Sequence, residues 1–502
     1  PYTFKPVVTA GSVTGVFHEL GGFWIQEIDT DNDPLTSAAL FINTAEFEPS
    51  VNPGNSVQVS GIVRETYQQT QVQISSPDDI LILESGGPLP VSVELDPPSV
   101  ESEANAYYES LEGMLVQVVE PGIAVAPTSR YGEYVLVSPK NGVDRLWQGD
   151  VEHNGLAIMV DDGSSAVHED CSTLSYVVNS GDLVGGLIGP LSYTFGRYKI
   201  EPIAQPKVTL GGYGLMSLSP AGEDAFRIMT WNVENLFDAL DPHPSDPPKP
   251  GVRAYKVSIA KVANTILAAG APMIVGLQEV ENIGILEDIA GHESLAGYDY
   301  QPLLIEGTDS RYIDNGYLVR GDIATVVNVQ QHVAPEGLTS RPPLQVDVDI
   351  QSSSGPVRVT VLNNHFTSMS GGETATEPRR AAQAAWNVTL LAGILESNPE
   401  ARVAIIGDLN SYLDSLPVDT LREAGLIHVF EFDREAGWYS YIYQGASQTL
   451  DHILVTPALF DLIRRVDILH VNADFALPFA EDESPLGKSD HDPVIATFSV
   501  PE

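Results

Sequence analysis

Basic residues and cysteine are what this chain has least of. Twenty-five Lys and Arg, only eight of them Lys, stand against 68 Asp and Glu in 502 residues, for a formal charge of −43. No global basic footprint of a tight sequence-specific nucleic-acid binder is present. An enzyme that meets phosphates through a bound metal and a few Arg is not excluded. So acidic a surface repels itself unless salt screens it, which points to a marine or halophilic source. Cys171 is the only cysteine, so no intrachain disulfide can form, which neither requires nor excludes export. No run reaches the roughly 18 apolar residues of a membrane span, and nothing marks an obligate protein partner. The first residue, Pro1, fits a processed or trimmed product, of which removal of an export signal is one form.

What is present is apolar material, 43% of the chain, enough for two or three ordinary domains. Short alternating segments such as Phe23-Trp24-Ile25-Gln26 and Val57-Gln58-Val59-Ser60 recur over residues 13–93, broken by Gly, Asn and Pro, and a similar pattern returns over 111–203. Small β barrels suit that spacing. We expect a β-rich domain like an oligonucleotide-binding barrel over 1–105 and a second β-rich domain over 106–210. Gly54-Asn55-Ser56-Val57-Gln58-Val59-Ser60-Gly61 resembles the strand that opens many such barrels. Phe23 and Trp24 would then stack on bases, unless the barrel is only a spacer. Gly- and Ser-rich residues 211–224 read as a linker. Beyond them, strand-like runs (227–233, 273–277, 357–362, 403–406) alternate with helical ones (256–269, 377–395, 417–424), predicting an α/β domain over 225–502. Residues 239–252 hold five Pro and predict a long surface loop.

Chemistry gathers in that last domain. Ser489-Asp490-His491-Asp492-Pro493 reads as a loop at a strand end, since Pro493 restricts the residue before it. Four more segments deliver Asn, Glu or Asp near the end of apolar runs: Thr230-Trp231-Asn232-Val233-Glu234-Asn235, Gly276-Leu277-Gln278-Glu279-Val280-Glu281-Asn282, Gly407-Asp408-Leu409-Asn410 and Thr449-Leu450-Asp451-His452-Ile453. Strand ends are where α/β sheets collect ligands, and together these segments look like one hard-metal site. With Asn363-Asn364-His365-Phe366-Thr367-Ser368 they make six blocks in order. The C-terminal 275 residues thereby resemble the endonuclease/exonuclease/phosphatase superfamily. The spellings Trp231-Asn232-Val233-Glu234-Asn235-Leu236-Phe237-Asp238 and Gly276 to Asn282, behind a β-rich leader, are most similar to its secreted bacterial nuclease branch.

The resemblance implies a four-layer α/β sandwich. It also implies a secreted, extracellular or periplasmic, divalent-metal-dependent phosphodiesterase, an extracellular nuclease acting on DNA or RNA. Hydrolysis of another phosphate ester, or a non-catalytic binding or adhesion role, are the alternatives. Glu279, helped by Asn232 and Asp490, is the expected oxygen-ligand set for Mg²⁺ or Mn²⁺. His491 acts as general base or binds the phosphate, with Asp451 fixing its tautomer. In the resemblance Asp408 orients or deprotonates the attacking water, Asn410 donates to phosphate, and His365, supported by Asn364, donates to a non-bridging oxygen or protonates the leaving group. Arg311 is the candidate guanidinium clamp, with Asp314 pairing with it or reaching His365. Many relatives carry Lys where Thr367 stands, which weakens the expected hold on substrate charge. Structural roles are expected for His332, His452, His470 and the cap Asp492, and helix-surface positions for Arg379, Arg380 and Gln383. Glu234 and Glu281 either support the site or are solvated. A Ca²⁺ site in the loop Asp29-Thr30-Asp31-Asn32-Asp33 is less favoured than a solvated turn, because Pro34 and Leu40 stand where an EF-hand needs Gly and Glu.

Overall fold

The structure is a computed structural model and describes every residue except 1–2, 29–35, 45–46, 212–213, 241–248, 435–436 and 502. The acidic loop weighed for Ca²⁺ and the middle of the Pro-rich stretch lie outside the described residues. The chain divides into two compact units. One comprises Pro1–Tyr213 with Tyr443–Ser447 and Asp474–Phe479; the other comprises Gly214–Ile442, Gln448–Ala473 and Ala480–Glu502. Among the described residues no helix is long and apolar enough to cross a membrane.

In the first unit, strands Pro6–Phe17, Gly22–Gln26, Ala39–Asn43, Gln69–Gln73 and Ser56–Thr66 are neighbours in that order, and Pro6–Phe17 also pairs with Ser56–Thr66. The five strands therefore close into a ring. Period-two alternation sends Val13, Phe23, Ile25, Ile42, Val57, Val59 and Val72 into its interior. Phe23 and Trp24 are 0% and 1% exposed, so neither can stack on a base, which corrects that expectation. Trp24 packs against Phe17 and Phe41. The outer side of its strand is covered by residues 112–115 of the same unit: Gly113 stands against Trp24 and Ala39, and Leu115 N–H donates to Gln26 at 2.8 Å. A nine-stranded sheet and the helix Glu101–Glu109 enclose a second core containing Val116, Leu136, Val160, Leu187 and Ile200.

The second unit holds two six-stranded sheets. One runs Tyr300–Leu304, Asp314–Arg320, Ile274–Val280, Ala225–Leu236, Val494–Ser499, Ile463–Ile468; the other runs Ala324–Gln331, Leu344–Ser352, Gly355–His365, Arg402–Asp408, Asp451–Val455, Ile427–His428. One core, with Ile228, Tyr317, Val361, Ile406, Ile453 and Ala496, draws on strands of both sheets. A second packs helices Val252–Ala268 and Ile283–Ala290 against Met229, Trp231 and Leu277, and a third packs Glu373–Ser397 and Leu416–Glu423 against Leu362, Ile405 and Leu454. Strands buried on both faces need near-continuous apolar runs, such as Val403-Ala404-Ile405-Ile406. The fold is mixed α/β and strand-rich.

Candidate active site

Register gathers the polar residues. His365 pairs directly with Asp408, and Asp408 with Asp451, across three neighbouring strands. Side chains directly opposite one another share a face about 5 Å apart, so the three form one row at the strand ends. Gly407, just before Asp408, sits at φ +136°, and a Cβ there would lie 1.9 Å from Asn364 O, so the close approach of these two strand ends requires glycine. His491 joins the row from the other sheet: its Nδ1 lies 2.7 Å from Asp451 Oδ2, which also accepts the Ser440 hydroxyl at 2.7 Å. Asp408 Oδ2 accepts from Asn232 Nδ2 at 3.0 Å and Asn410 Nδ2 at 3.2 Å, and lies 3.4 Å from His365 Nε2 and 4.0 Å from His491 Nε2. Glu279 Oε2 accepts the Asn235 N–H at 2.8 Å, while Oε1 is 3.7 Å from both His365 Nε2 and Arg311 Nη2. Asp490 Oδ1 is 3.9 Å from His491 Nε2. His491, Asp451, Asp408, Asn410, His365, Asn232, Glu279, Asp490 and Arg311 thus form one connected cluster.

Backbone strain marks the same place. Glu234, Asn235, Glu279, Tyr312 and Asn410 all adopt positive φ, from 40° to 66°. Each costs about 1–3 kcal/mol and persists only where the surroundings over-determine it. Pairing between Ala225–Leu236 and Ile274–Val280 breaks register between Asn232 and Leu236. The resulting bulge turns the Asn235 N–H onto Glu279.

Electrostatics separate the titrating groups. Burial pushes the Asp408 carboxyl up to about 7, with Asp451 adding to the rise and the His491 imidazole opposing it. Burial disfavours a charged His491, but Asp451, Asp408 and Asp490 outweigh it and hold its pKa well above the ordinary histidine range. Burial, with Arg341, Arg311 and His491 nearby, drives His365 well below that range, so it is neutral. Its Nδ1 is buried with no partner among the described residues, so the nitrogen facing the carboxylates is Nε2. Burial and Asp490 push Glu234 up to about 7. This surplus of negative charge suits a cation held by hard oxygen donors. Among the described residues, Asp408, Asp451 and His491 present ligand atoms within 4.8 Å of one another. The Asp451–His491 hydrogen bond engages the facing atoms of two of them, and in the same cluster Asn232 Oδ1 accepts the Glu234 N–H at 2.9 Å while Glu279 Oε1 faces His365 and Arg311.

Several expected roles change. The Asn364 side chain donates to Leu362 O and accepts from Asn387, both within its own strand and helix layer, so it supports the strand and does not face substrate. Asp314 accepts the Gly307 N–H and, through burial beside Glu306, rises to about 7; it meets neither Arg311 nor His365. Arg311 instead reaches Asn235, Glu279 and Asp309. Arg380 is buried, not on the surface, and bonds Thr376 and Glu373 O. Gln383 accepts the Thr367 N–H and donates to Leu338 O, holding the loop after His365. Asp492 is a cap, accepting three consecutive N–H groups of residues 471–473. Glu281 accepts the Asp238 N–H, and Asn282 caps the helix Ile283–Ala290.

Sequence reading missed Ser440, Arg341, and the pair Gln278 and Asn363. The Gln278 amide donates to Asn363, which donates in turn to Leu277 O and Gly316 O, tying the two sheets beneath the site. Arg341 grips Asp309 and Phe366 O. Gln278 and Asn363 lay inside recognised blocks, so their polar side chains in apolar strands were a usable signal. Ser440 and Arg341 carried none.

Residues 227–465 match the Endonuclease/Exonuclease/phosphatase family, and residues 76–210 match a Domain of unknown function (DUF8508). No curated protein matches the chain. Similar solved structures include truncated Caenorhabditis elegans TDP2, at 20% identity over 55% of this chain and 97% of that one, with a TM-score of 0.40. An endonuclease/exonuclease/phosphatase from Bacteroides vulgatus is similar at 18% identity over 55% and 99%, TM-score 0.40. The human Nocturnin catalytic domain with bound sulfate is similar at 15% identity over 57% and 97%, TM-score 0.39.

Proposed function

We propose that residues 225–502 form a four-layer α/β sandwich that hydrolyses phosphodiesters with a divalent metal, acting as a secreted nuclease on DNA or RNA. One observation carries this reading. Asp451, Asp408, His365 and Asn410 meet at neighbouring strand ends inside the segment 227–465 that matches the Endonuclease/Exonuclease/phosphatase family, and His491, beyond that segment, joins them through Asp451 at 2.7 Å. Glu279, Asn232 and Asp490 would hold Mg²⁺ or Mn²⁺, which when bound stabilises charge developing on the phosphoryl oxygens.

The chain's own groups divide the remaining work. Of the two roles open to His491, its carboxylate neighbours favour phosphate binding: Asp451 holds Nδ1–H, and Nε2–H is left to donate to a phosphoryl oxygen. Asp408, pushed up to about 7, is placed to take the proton of the attacking water. Environments that drive two titratable groups apart are a means of assigning acid and base. Neutral His365 donates through Nε2 to a second oxygen, and Arg311 clamps the charge at the exposed rim. No covalent intermediate is needed.

For the N-terminal ring we favour an oligonucleotide-binding barrel used as a spacer. Such barrels bind through the face of their second and third strands, and here residues 112–115 cover it. The decisive assay offers plasmid DNA, RNA and bis(p-nitrophenyl) phosphate, each with and without Mg²⁺. Metal-dependent cleavage of the polymers supports the nuclease; turnover of the chromogenic diester alone moves the substrate to another phosphate ester; no turnover sinks the enzyme reading.

A further inference from the structure

We propose that Asn472 is a positioning residue that presents Asp490 and His491 to the site, an inference that rests on the phosphodiesterase reading. Asn472 is 2% exposed and follows the strand Ile463–Ile468. Its Oδ1 accepts the N–H groups of Lys488 at 3.0 Å and Ser489 at 3.4 Å, while its Nδ2 donates to His491 O at 2.7 Å. The grip is returned. Asp492 Oδ1 accepts the N–H groups of Val471 at 3.0 Å, Asn472 at 2.8 Å and Ala473 at 3.3 Å, and its Oδ2 is 2.8 Å from His470 Nδ1. Each loop's side chain therefore holds the other loop's backbone, and the segment 488–492 is fixed at both ends with Asp490 between.

The brace has a second side. Trp231 Nε1 donates to the same His491 carbonyl at 2.9 Å, the Ser489 hydroxyl donates to Asn232 O at 2.8 Å, and Lys488 Nζ donates to Val233 O at 2.5 Å. Two donors on one carbonyl fix the His491 peptide plane, which sets the direction from which its ring meets Asp451. The strand segment bearing Asn232 is tied to the loop bearing Asp490 by the same bonds. Only an amide can accept at one end and donate at the other in this space. A carboxylate would oppose the His491 carbonyl, and an apolar side chain would leave the Lys488 and Ser489 N–H groups unpaired and the His491 carbonyl with Trp231 alone.

Partners that orient ligands typically matter by about 10- to 100-fold in metal affinity or activity. Asn472→Asp keeps the shape and the acceptor and removes the donor. The test measures Mn²⁺ affinity by calorimetry, kcat and KM on bis(p-nitrophenyl) phosphate against pH, and thermal melting, for wild type, Asn472→Asp and Asn472→Ala. We expect Mn²⁺ affinity and kcat to fall by about 10- to 100-fold with KM little changed and a cooperative melt retained; where Asn472→Asp does not fold, Asn472→Ala carries the same criterion. Folded variants within about threefold of wild type in Mn²⁺ affinity and kcat, well short of that range, overturn the assignment. Failure of both variants to fold overturns it too, because the brace then holds the fold and not the loop. A wild type that neither binds Mn²⁺ nor hydrolyses diesters instead removes the phosphodiesterase reading, and this role with it.

Discussion

Asp408 Oδ2 and His491 Nε2 lie 4.0 Å apart, and each residue shifts the other's titration. A base pushed up to about 7 must lose its proton to act, so the rate should fall as pH drops through that region. A donor held well above the histidine range must keep its proton, so the rate should fall again at high pH. His491→Ala should lower kcat by about 10²- to 10³-fold, as loss of one donor to developing charge does, erase the high-pH limb and keep the low-pH limb. That remaining limb should move upward, since the imidazolium no longer favours the Asp408 carboxylate. Loss of the low-pH limb in His491→Ala would make His491 the base. Glu279→Gln keeps the hydrogen bond to the strained Asn235 N–H but removes the charge. It should abolish Mg²⁺ binding in a calorimetric titration while the melting temperature stays near wild type. Unchanged metal affinity would take Glu279 out of the ligand set.

Elements show what pattern can and cannot reveal. The strand Ala225–Leu236 was legible because a mostly apolar stretch through Ile228, Met229 and Trp231 gives way to Asn232 and Glu234; Arg402–Asp408 was legible because Val403-Ala404-Ile405-Ile406 gives way to Asp408. The pairing of His365, Asp408 and Asp451 was not, since register depends on partners far away in the chain. Periodicity also misplaced Arg380, whose guanidinium folds back on Thr376 and Glu373 O inside the helix Glu373–Ser397. Phe23 and Trp24 were placed in a strand, yet nothing local shows that residues 112–115 cover it. Trp24→Ala should therefore cost about 3–5 kcal/mol of stability, read by chemical denaturation, and leave single-strand DNA binding unchanged. Weakened binding by a fully folded variant would restore a stacking role.

The strands Ile427–His428 and Asp451–Val455 carry a directed pair. His428 Nδ1 accepts the Phe430 N–H, so its Nε2–H donates to His452 Nδ1 at 2.9 Å, and His452 Nε2–H donates to Ser411 O at 2.8 Å. Burial lowers His452 to about 4. A depressed pKa gives stability that is whole above the unfolded value of about 6.5 and is lost as pH falls toward the folded one. The stability gap between wild type and His452→Gln should narrow from about pH 6.5 down to about 4. A gap constant over that window would mean the imidazole takes up its proton in the fold as readily as in the unfolded chain.

At the scale of the whole molecule, 68 acidic residues against 25 basic ones set the approach of any polyanion. A basic nuclease gains affinity by displacing counterions from DNA and so loses it as salt rises. Here the sign should reverse, because the substrate must approach a chain of charge −43 before Arg311 or a bound cation can reach a phosphate. Salt shortens the range of that repulsion, from a Debye length of about 10 Å at 0.1 M to about 3 Å at 1 M, while leaving contacts inside the buried cluster nearly untouched. kcat/KM on DNA should therefore climb with NaCl over about 0.05 to 1 M, and the thermal unfolding midpoint should climb with it as self-repulsion is screened. Bis(p-nitrophenyl) phosphate carries a single charge and should show a much shallower rise. The two substrates measured in one salt series separate long-range repulsion from any effect on the chemistry. A rate on DNA that falls with salt while the small diester stays level would mean that a local cationic track, and not the global charge, governs how substrate reaches the site.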